Sequence, residues 1–475
     1  MELDYRKIEL RLGLEVHQQL ETNKLFCKCP SIIKKENPDF TVVRKLRASA
    51  GEMGKVDQAA MHELEKGKYF VYYGYYDCTC LVELDEEPPQ EVNKEALDAV
   101  LQIAVLLNAK IVDEIHFMRK TVIDGSNTSG FQRTALVATD GWIETSEGKI
   151  SIPTIMLEEE AAQIVERTDE KDIYSLSRLG IPLVEISTGP EIKSPDGAKE
   201  AAEKIGMILR STQKVKRGLG TIRQDVNLSI KNGARTEVKG FQEIRSMPLV
   251  IENEIKRQIE LIEKGKKVEP SVRNANPDGS STYLRPMPGA DRMYPETDVA
   301  PITPKIENIQ KVELIDEKAE RLQKIGLGKD LAELIAKAHL AEQFEHFVKK
   351  FKNITPAFMA EIMLPKMKEL KRNGVDVDKI SMKHIEEVFE LVNTGKVAKD
   401  SVIEILKQVP EKHDVKKIAE SYEMMSEHDL EKEIKKIVDD NKGKPFGALM
   451  GIAMGKLKGK SSGQKISELL KKLAA

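Results

Sequence analysis

Long apolar runs are missing from this 475-residue chain. Charge interrupts every hydrophobic stretch well short of the roughly 20 residues that a membrane span needs. Met1 to Leu10 is charged and lacks the apolar core of a signal peptide. Both absences lead to the expectation of a cytoplasmic protein with no membrane partner. No repeat recurs at a fixed period and no low-complexity tract appears. What remains is a chain too long for one compact core, for which two to four domains are expected. Hydrophobic residues make up 40%, which supports folded domains, and the net charge of −3 argues against a general nucleic-acid coat protein.

Cysteine is nearly absent. Cys27, Cys29, Cys78 and Cys80 form two Cys-x-Cys pairs about fifty residues apart. Disulfides are disfavoured in the cytosol, and four thiolates brought together suit a tetrahedral Zn²⁺ site. Four buried free thiols are the other reading.

Basic residues are scarce in excess until the end of the chain. From Asn441 to Ala475 there are eight Lys and one Glu. Such a segment can meet phosphate backbones, or it can be the solvated face of amphipathic helices.

The first 300 residues mix strand and helix patterns. Leu12–Leu20, Arg223–Ile230 and Thr236–Phe241 alternate as strands. Helices are expected at 94–108, capped by Asn93, and at 196–211. Residues 274–304 are rich in Pro and Gly and read as mostly loop. After about residue 305, helical periodicity dominates. The expected fold class is α+β: a mixed-sheet catalytic cradle over 1–304, an all-helical domain over 305–397 and a small basic helical tail over 398–475.

Several polar residues interrupt this pattern. In Gly13–Leu20 a strand would put Glu15, His17 and Gln19 on one face, half of a metal site or a plain solvated surface. Glu158, Glu159 and Glu160 are consecutive and flanked by apolar residues. Such acids repel unless a cation or exposure relieves them, although a helix N-terminus also collects acids. Glu185 interrupts the apolar run Ile181–Ile186. A carboxylate there is costly unless paired or metal-bound, or else the strand is an edge with Glu185 facing water. Arg223, Asp225, Asn227 and Ser229 share one strand face, a set able to meet a phosphate, its Mg²⁺ and a hydroxyl. Asp124–Gln132 is a polar loop following Arg119-Lys120, with backbone NH groups able to cradle an anion. It is not a Walker A loop. Arg292-Met293-Tyr294-Pro295-Glu296-Thr297-Asp298 is too rich in charge for a plain linker. Acids, one His, several cations and Gly-rich loops within one body are what ATP–Mg²⁺ phosphoryl transfer requires.

At these residues the chain resembles the B/E subunit family of tRNA-dependent amidotransferases. LGLEVHQQL, KLFCKC, CLVELDEEPP, MRKTVIDGSNTSGFQRT, LEEEAA, RLGIPLVEIST, VKRGLGTIRQDVNLSI and RMYPETD stand in the family's order, and their wording is most like the archaeal E subunit. The resemblance implies that ATP phosphorylates the γ-carboxylate of glutamate on tRNA(Gln), after which ammonia displaces phosphate. It also implies a partner that delivers ammonia through a channel: an asparaginase-like glutaminase subunit, or an amidase-type one. Carried over by motif, the catalytic residues are Glu15, His17, Glu159 and Glu185, with Mg²⁺ on His17, Glu158, Glu159 and Glu185. Nucleotide contacts are Lys120, Ser126, Arg223, Asp225, Asn227, Arg292 and Tyr294. The tail around 443–451 resembles the family's tRNA-contacting tail domain.

Three features depart from the pattern. The aspartyl-tRNA-synthetase-like insertion usual in E subunits has no room before Pro286-Met287. Ser177 stands where Asp is frequent, and so does Glu160. Two rival readings remain at this stage: a non-catalytic tRNA-binding scaffold, and a subunit that also amidates Asp-tRNA(Asn).

Overall fold

The computed structural model describes residues 3–46, 65, 67–241, 243–287, 293–307, 309–457, 460–461 and 463–473. The chain divides into two compact units, Met1–Val312 and Glu313–Ala475.

In the first unit the strands begin with β1 (Arg11–Gln19), β2 (Phe40–Arg44), β3 (Tyr69–Gly74), β4 (Lys110–Ile111) and β5 (Phe117–Thr121). The long hairpin β6 (Phe131–Thr145) and β7 (Gly148–Glu159) follows, then β8 (Gln163–Arg167), β9 (Lys171–Ser175) and β10 (Pro182–Ser187). The last are β11 (Ile222–Ser229), β12 (Thr236–Lys239), β13 (Ser271–Ala275), β14 (Ser281–Pro286) and β15 (Met293–Pro295). Among the described residues the α-helices α1 (Lys94–Leu106), α2 (Pro195–Ser211) and α3 (Met247–Glu263) accompany them. Among the described residues, one mixed eleven-stranded sheet has the order β14-β13-β12-β11-β1-β10-β7-β6-β5-β15, with β4 paired to β6. A smaller sheet has the order β2-β3-β9-β8.

The helix starts follow from capping chemistry. Asn93 accepts a hydrogen bond from the Ala96 NH at 3.1 Å and opens α1. Ser194 caps α2 in the same way, and Pro195 occupies its first turn. Small residues Ala198, Ala201 and Ala202 are fully buried on α2, which packs on β1 and β6, while α1 packs on β6 and β7.

The central strands have two unlike faces. Leu12, Leu14 and Val16 of β1 are buried. Val16 lies opposite Ile186 of β10, and Leu14 opposite Val226 of β11. This apolar layer joins Leu157 and Ile155 of β7, and the helices pack against these same strands. Alternation sends the intervening polar residues to the other face. Because β10 lies between β1 and β7, Glu185 is not on an edge strand.

Residues 274–304 contain more order than their composition suggests. Pro277-Asp278-Gly279 is the turn of a β13–β14 hairpin, with Gly279 at φ +84°. β14 is an edge strand, where Pro286 removes no needed ladder bond. β15 pairs with β5.

In the second unit, Val402–Lys412 and Val415–Glu420 pack with Met382–Asn393. The last three helices, Glu427–Asp440, Phe446–Leu457 and Gly463–Leu473, pack with one another. They share a core of Leu430, Ile434, Ile437, Leu449, Ala453, Leu457, Ile466 and Leu470. No described helix is long and apolar enough to cross a membrane.

Candidate active site

Strand register brings distant motifs together on the polar face of the large sheet. His17 lies opposite Glu185 on one side and opposite Arg223 on the other. His17 Nε2 is 3.3 Å from Glu185 Oε2. Glu158 reaches the same place from β7, and ligand atoms of His17, Glu158 and Glu185 all lie within 4.8 Å of one another. Lys120 of β5 meets Glu158 at 2.9 Å and Glu185 at 3.8 Å. Gln132 of β6 donates to Glu158 at 3.1 Å.

One step along β1, Glu15 lies opposite Asp225. Glu15, Asp225 and Glu237 form a second close group of acids. Lys239 bridges it, 2.6 Å from Asp225 and in contact with Glu237. Asn227 donates to Glu15 at 3.2 Å and accepts from Arg235 at 3.0 Å. A groove of about 460 Å³ continues from this group, lined by Arg11, Gly13, Glu15, Ser187, Asn227 and Arg235 among others. Arg223 holds the buried Glu160 at 2.9 Å, and Gln19 donates to Glu160 at 3.1 Å.

The electrostatics follow from this crowding. Burial opposes charge on Glu185, but the hydrogen bond with His17 and the positive Lys120 hold its carboxyl well below the usual range. Burial likewise opposes protonation of His17, yet its bond to Glu185 raises its pKa. Glu15 is pushed up, first by burial and then by the negative Glu237 and Glu185. Glu160 is lowered, because Arg223 and Arg178 outweigh its burial.

Glu159 requires a correction. Expected on the metal with His17 and Glu185, it points to the opposite face, because neighbours on a strand alternate. There Glu159 accepts from the Arg133 backbone NH at 2.9 Å and lies 3.4 Å from the Arg133 guanidinium. Arg133 also meets Glu296 at 2.7 Å, and Arg119 meets Glu296 at 2.6 Å. Tyr294, expected at the nucleotide, also falls on that side, beside Phe131 and opposite Arg119 in the strand register. Ser126 donates to Asp124 at 2.6 Å in its own loop rather than joining His17. Arg292 lies outside the described residues. Glu237 and Lys239 were missed from sequence. Their alternation with Val238 in the strand read at 236–241 was the available signal.

A separate group forms at the cysteines. Cys27, Cys29, Cys80 and Glu83 lie within metal-binding reach of one another. Cys78, the expected fourth ligand, is fully buried outside this group. The turns after Cys80 carry Glu83 back instead, so that it accepts from Cys27 Sγ at 2.8 Å and from the Cys80 backbone NH at 2.7 Å. Hydrogen bonds from Cys27 and Cys29 lower the Cys80 pKa. Cys29 is pushed up to about 12, the bond from Cys27 being outweighed by the bond to Cys80 and by burial. Lys24, itself fully buried, pins the loop by donating to the Cys78 and Leu176 carbonyls at 2.7 and 3.1 Å. Three sulfurs and one carboxylate are a donor set that suits Zn²⁺.

The model of the GatB/GatE catalytic domain matches residues 10–310, which contain both groups of acids and the cysteines. The chain belongs to the GatB/GatE family. The GatB domain model matches residues 342–473 of this family member as well. The E subunit of the glutamyl-tRNA(Gln) amidotransferase of Methanocaldococcus jannaschii is 39% identical over 626 residues, covering 99% of each chain. The protein of the same name from Thermococcus gammatolerans is 36% identical over 621 residues, covering 99% of this chain and 98% of its own. An alignment of 626 positions exceeds the 475 residues here by 151. This GatB/GatE chain is therefore the shorter of the two.

Proposed function

We propose that this chain phosphorylates and then amidates glutamate esterified to tRNA(Gln), with ATP as phosphoryl donor. The observation that carries the reading is the gathering of Lys120, Glu158, Glu185, His17, Arg223 and Asp225 on one sheet face. The names of the relatives, E subunits of glutamyl-tRNA(Gln) amidotransferases, supply the substrate.

In the proposed reaction a γ-carboxylate oxygen attacks the γ-phosphorus of ATP, the bond to the β-phosphate oxygen breaks, and ADP leaves. Ammonia then attacks the acyl carbon, the carbon–oxygen bond to phosphate breaks, and nitrogen loses a proton. Lys120 and Arg223 place positive charge where phosphate oxygens collect. Glu15, whose pKa is raised by burial, is suited to take the proton. His17, Glu158 and Glu185 fit a divalent cation: two carboxylates converge, and a ring nitrogen of His17 lies within metal-binding reach of both. When bound there, Mg²⁺ supplies charge neutralisation for the phosphates. A structural Zn²⁺ would be held by Cys27, Cys29, Cys80 and Glu83. The ammonia comes from a glutaminase partner, asparaginase-like or amidase-type, and the last three helices hold the tRNA body through the Lys-rich stretch 441–475.

ADP release tests the reading. It should rise with Glu-tRNA(Gln) and not with deacylated tRNA(Gln). Equal ADP release with both would remove the kinase assignment. A response to Asp-tRNA(Asn) as well would extend the substrate range.

A further inference from the structure

Among the described residues, the loop between α2 and β11 carries the most exposed large apolar side chain of the first unit. Leu219 has a relative exposure of 102%. It stands between Gly218 at φ +119° and Gly220 at φ +80°, left-handed conformations that side chains other than glycine's rarely adopt. The loop's base is fixed: Lys216 NH donates to the Gln19 carbonyl and Gln19 NH to that of Thr221, both at 2.9 Å. Gln18 Nε2 ties the same two residues together, donating to the Lys216 and Thr221 carbonyls at 3.0 and 3.1 Å. An apolar tip thus stands in water on a clamped base whose partners, Gln18 and Gln19, follow His17 on β1. Cations outnumber acids around it, although Lys216 lies 3.9 Å from Glu21 and Arg223 is bound to Glu160. Arg217 is exposed beside it, and Arg223, half-exposed, follows four residues later, with Lys214 and Lys216 at the base. Leu219 contributes nothing to this unit's core, and its presentation beside Arg217 suits an occupant with a flat apolar surface and negative charge.

We propose that Leu219 packs against the terminal base of the single-stranded 3′ end of the aminoacyl-tRNA, with Arg217 meeting its phosphate, so that the esterified glutamate is delivered to the His17 face. Every base has an apolar face, so such a contact positions without reading sequence. Leu219 is a positioning residue in this account, and the inference rests on the proposed function.

The test uses the full chain with Glu-tRNA(Gln), ATP and ammonium chloride, and then with glutamine plus the glutaminase partner. Leu219→Ala should raise the KM for Glu-tRNA(Gln) roughly tenfold, the order set by losing one leucine contact, and leave kcat and the KM for ATP unchanged. Arg217→Gln should weaken tRNA binding and flatten its salt dependence. An unchanged tRNA KM in both variants overturns the inference. So does a Leu219→Ala defect seen with glutamine but not with ammonium, because the loop would then contact the partner protein. If the unaltered chain forms no amide from any donor, the proposed function fails instead, which keeps the two failures distinct.

Discussion

Replacing Glu158 by Gln removes a carboxylate that Lys120 meets at 2.9 Å and that converges with His17 and Glu185. Glu158→Gln and Glu185→Gln should each lower kcat for amidation by at least about a hundredfold, the scale of lost electrostatic stabilisation at a phosphoryl-transfer site. Calorimetric titration with Mn²⁺ should show weakened binding in both. Glu159→Ala should leave that metal affinity intact and instead cost roughly 1–3 kcal/mol in urea unfolding, because it leaves the buried Arg133 short of a partner. The contrast between neighbours is the informative part. The sequence showed three acids in a row and a strand-like His17 and Glu185, and these were legible. Which of the three acids meets His17 depends on where β7 ends and which face the helices cover, and both are properties of the tertiary fold. Glu83 was illegible for another reason. A single glutamate in an acidic loop carries no spacing signal, whereas Cys78 matched a pair pattern and was favoured by it.

At the scale of elements, the cysteine loops and the β5–β6–β15 edge each carry a prediction. Zinc analysis of protein purified without chelator should give about one Zn²⁺ per chain. Cys80→Ser should lose the metal and Cys78→Ser should keep it. Equal retention in both would exclude the three-thiol, one-carboxylate site. On the other face of the sheet, Glu296 is buried between Arg119 and Arg133. Burial alone would raise its pKa, but the bond from Arg119 and the charge of Arg133 lower it. A lowered folded-state pKa means that its contribution to stability is present above the ordinary carboxylate range and is lost as pH falls through the lowered value. The stability gap between the parent and Glu296→Gln should therefore be wide at about pH 7 and should narrow below about pH 4. A gap that stays constant with pH would mean that Glu296 acts through shape alone. Strand and helix positions such as β1, α1 and α2 were readable from alternation and capping. β14 and β15 were not, because Pro and Gly at their ends mask short edge strands, and β15 pairs with β5, far away in the sequence.

At the scale of the whole molecule, an α+β sheet body followed by helices was visible in the change of texture near residue 305. The last three helices have their own core and the Lys-rich stretch of the sequence. Deleting residues 426–475 should weaken Glu-tRNA(Gln) binding, raise its KM and flatten the salt dependence of binding, while ammonium-dependent kcat persists. Unchanged affinity at several salt concentrations would remove the tail from tRNA binding. The central claim is that this face phosphorylates tRNA-bound glutamate, and the acyl phosphate itself is the most direct witness. With hydroxylamine in place of ammonia, Glu-tRNA(Gln) and ATP should yield γ-glutamyl hydroxamate on the tRNA together with ADP. Neither should form with a non-hydrolysable ATP analogue or with Glu185→Gln. Tight tRNA binding with no hydroxamate and no ADP would contradict the account and leave the chain a tRNA-binding scaffold.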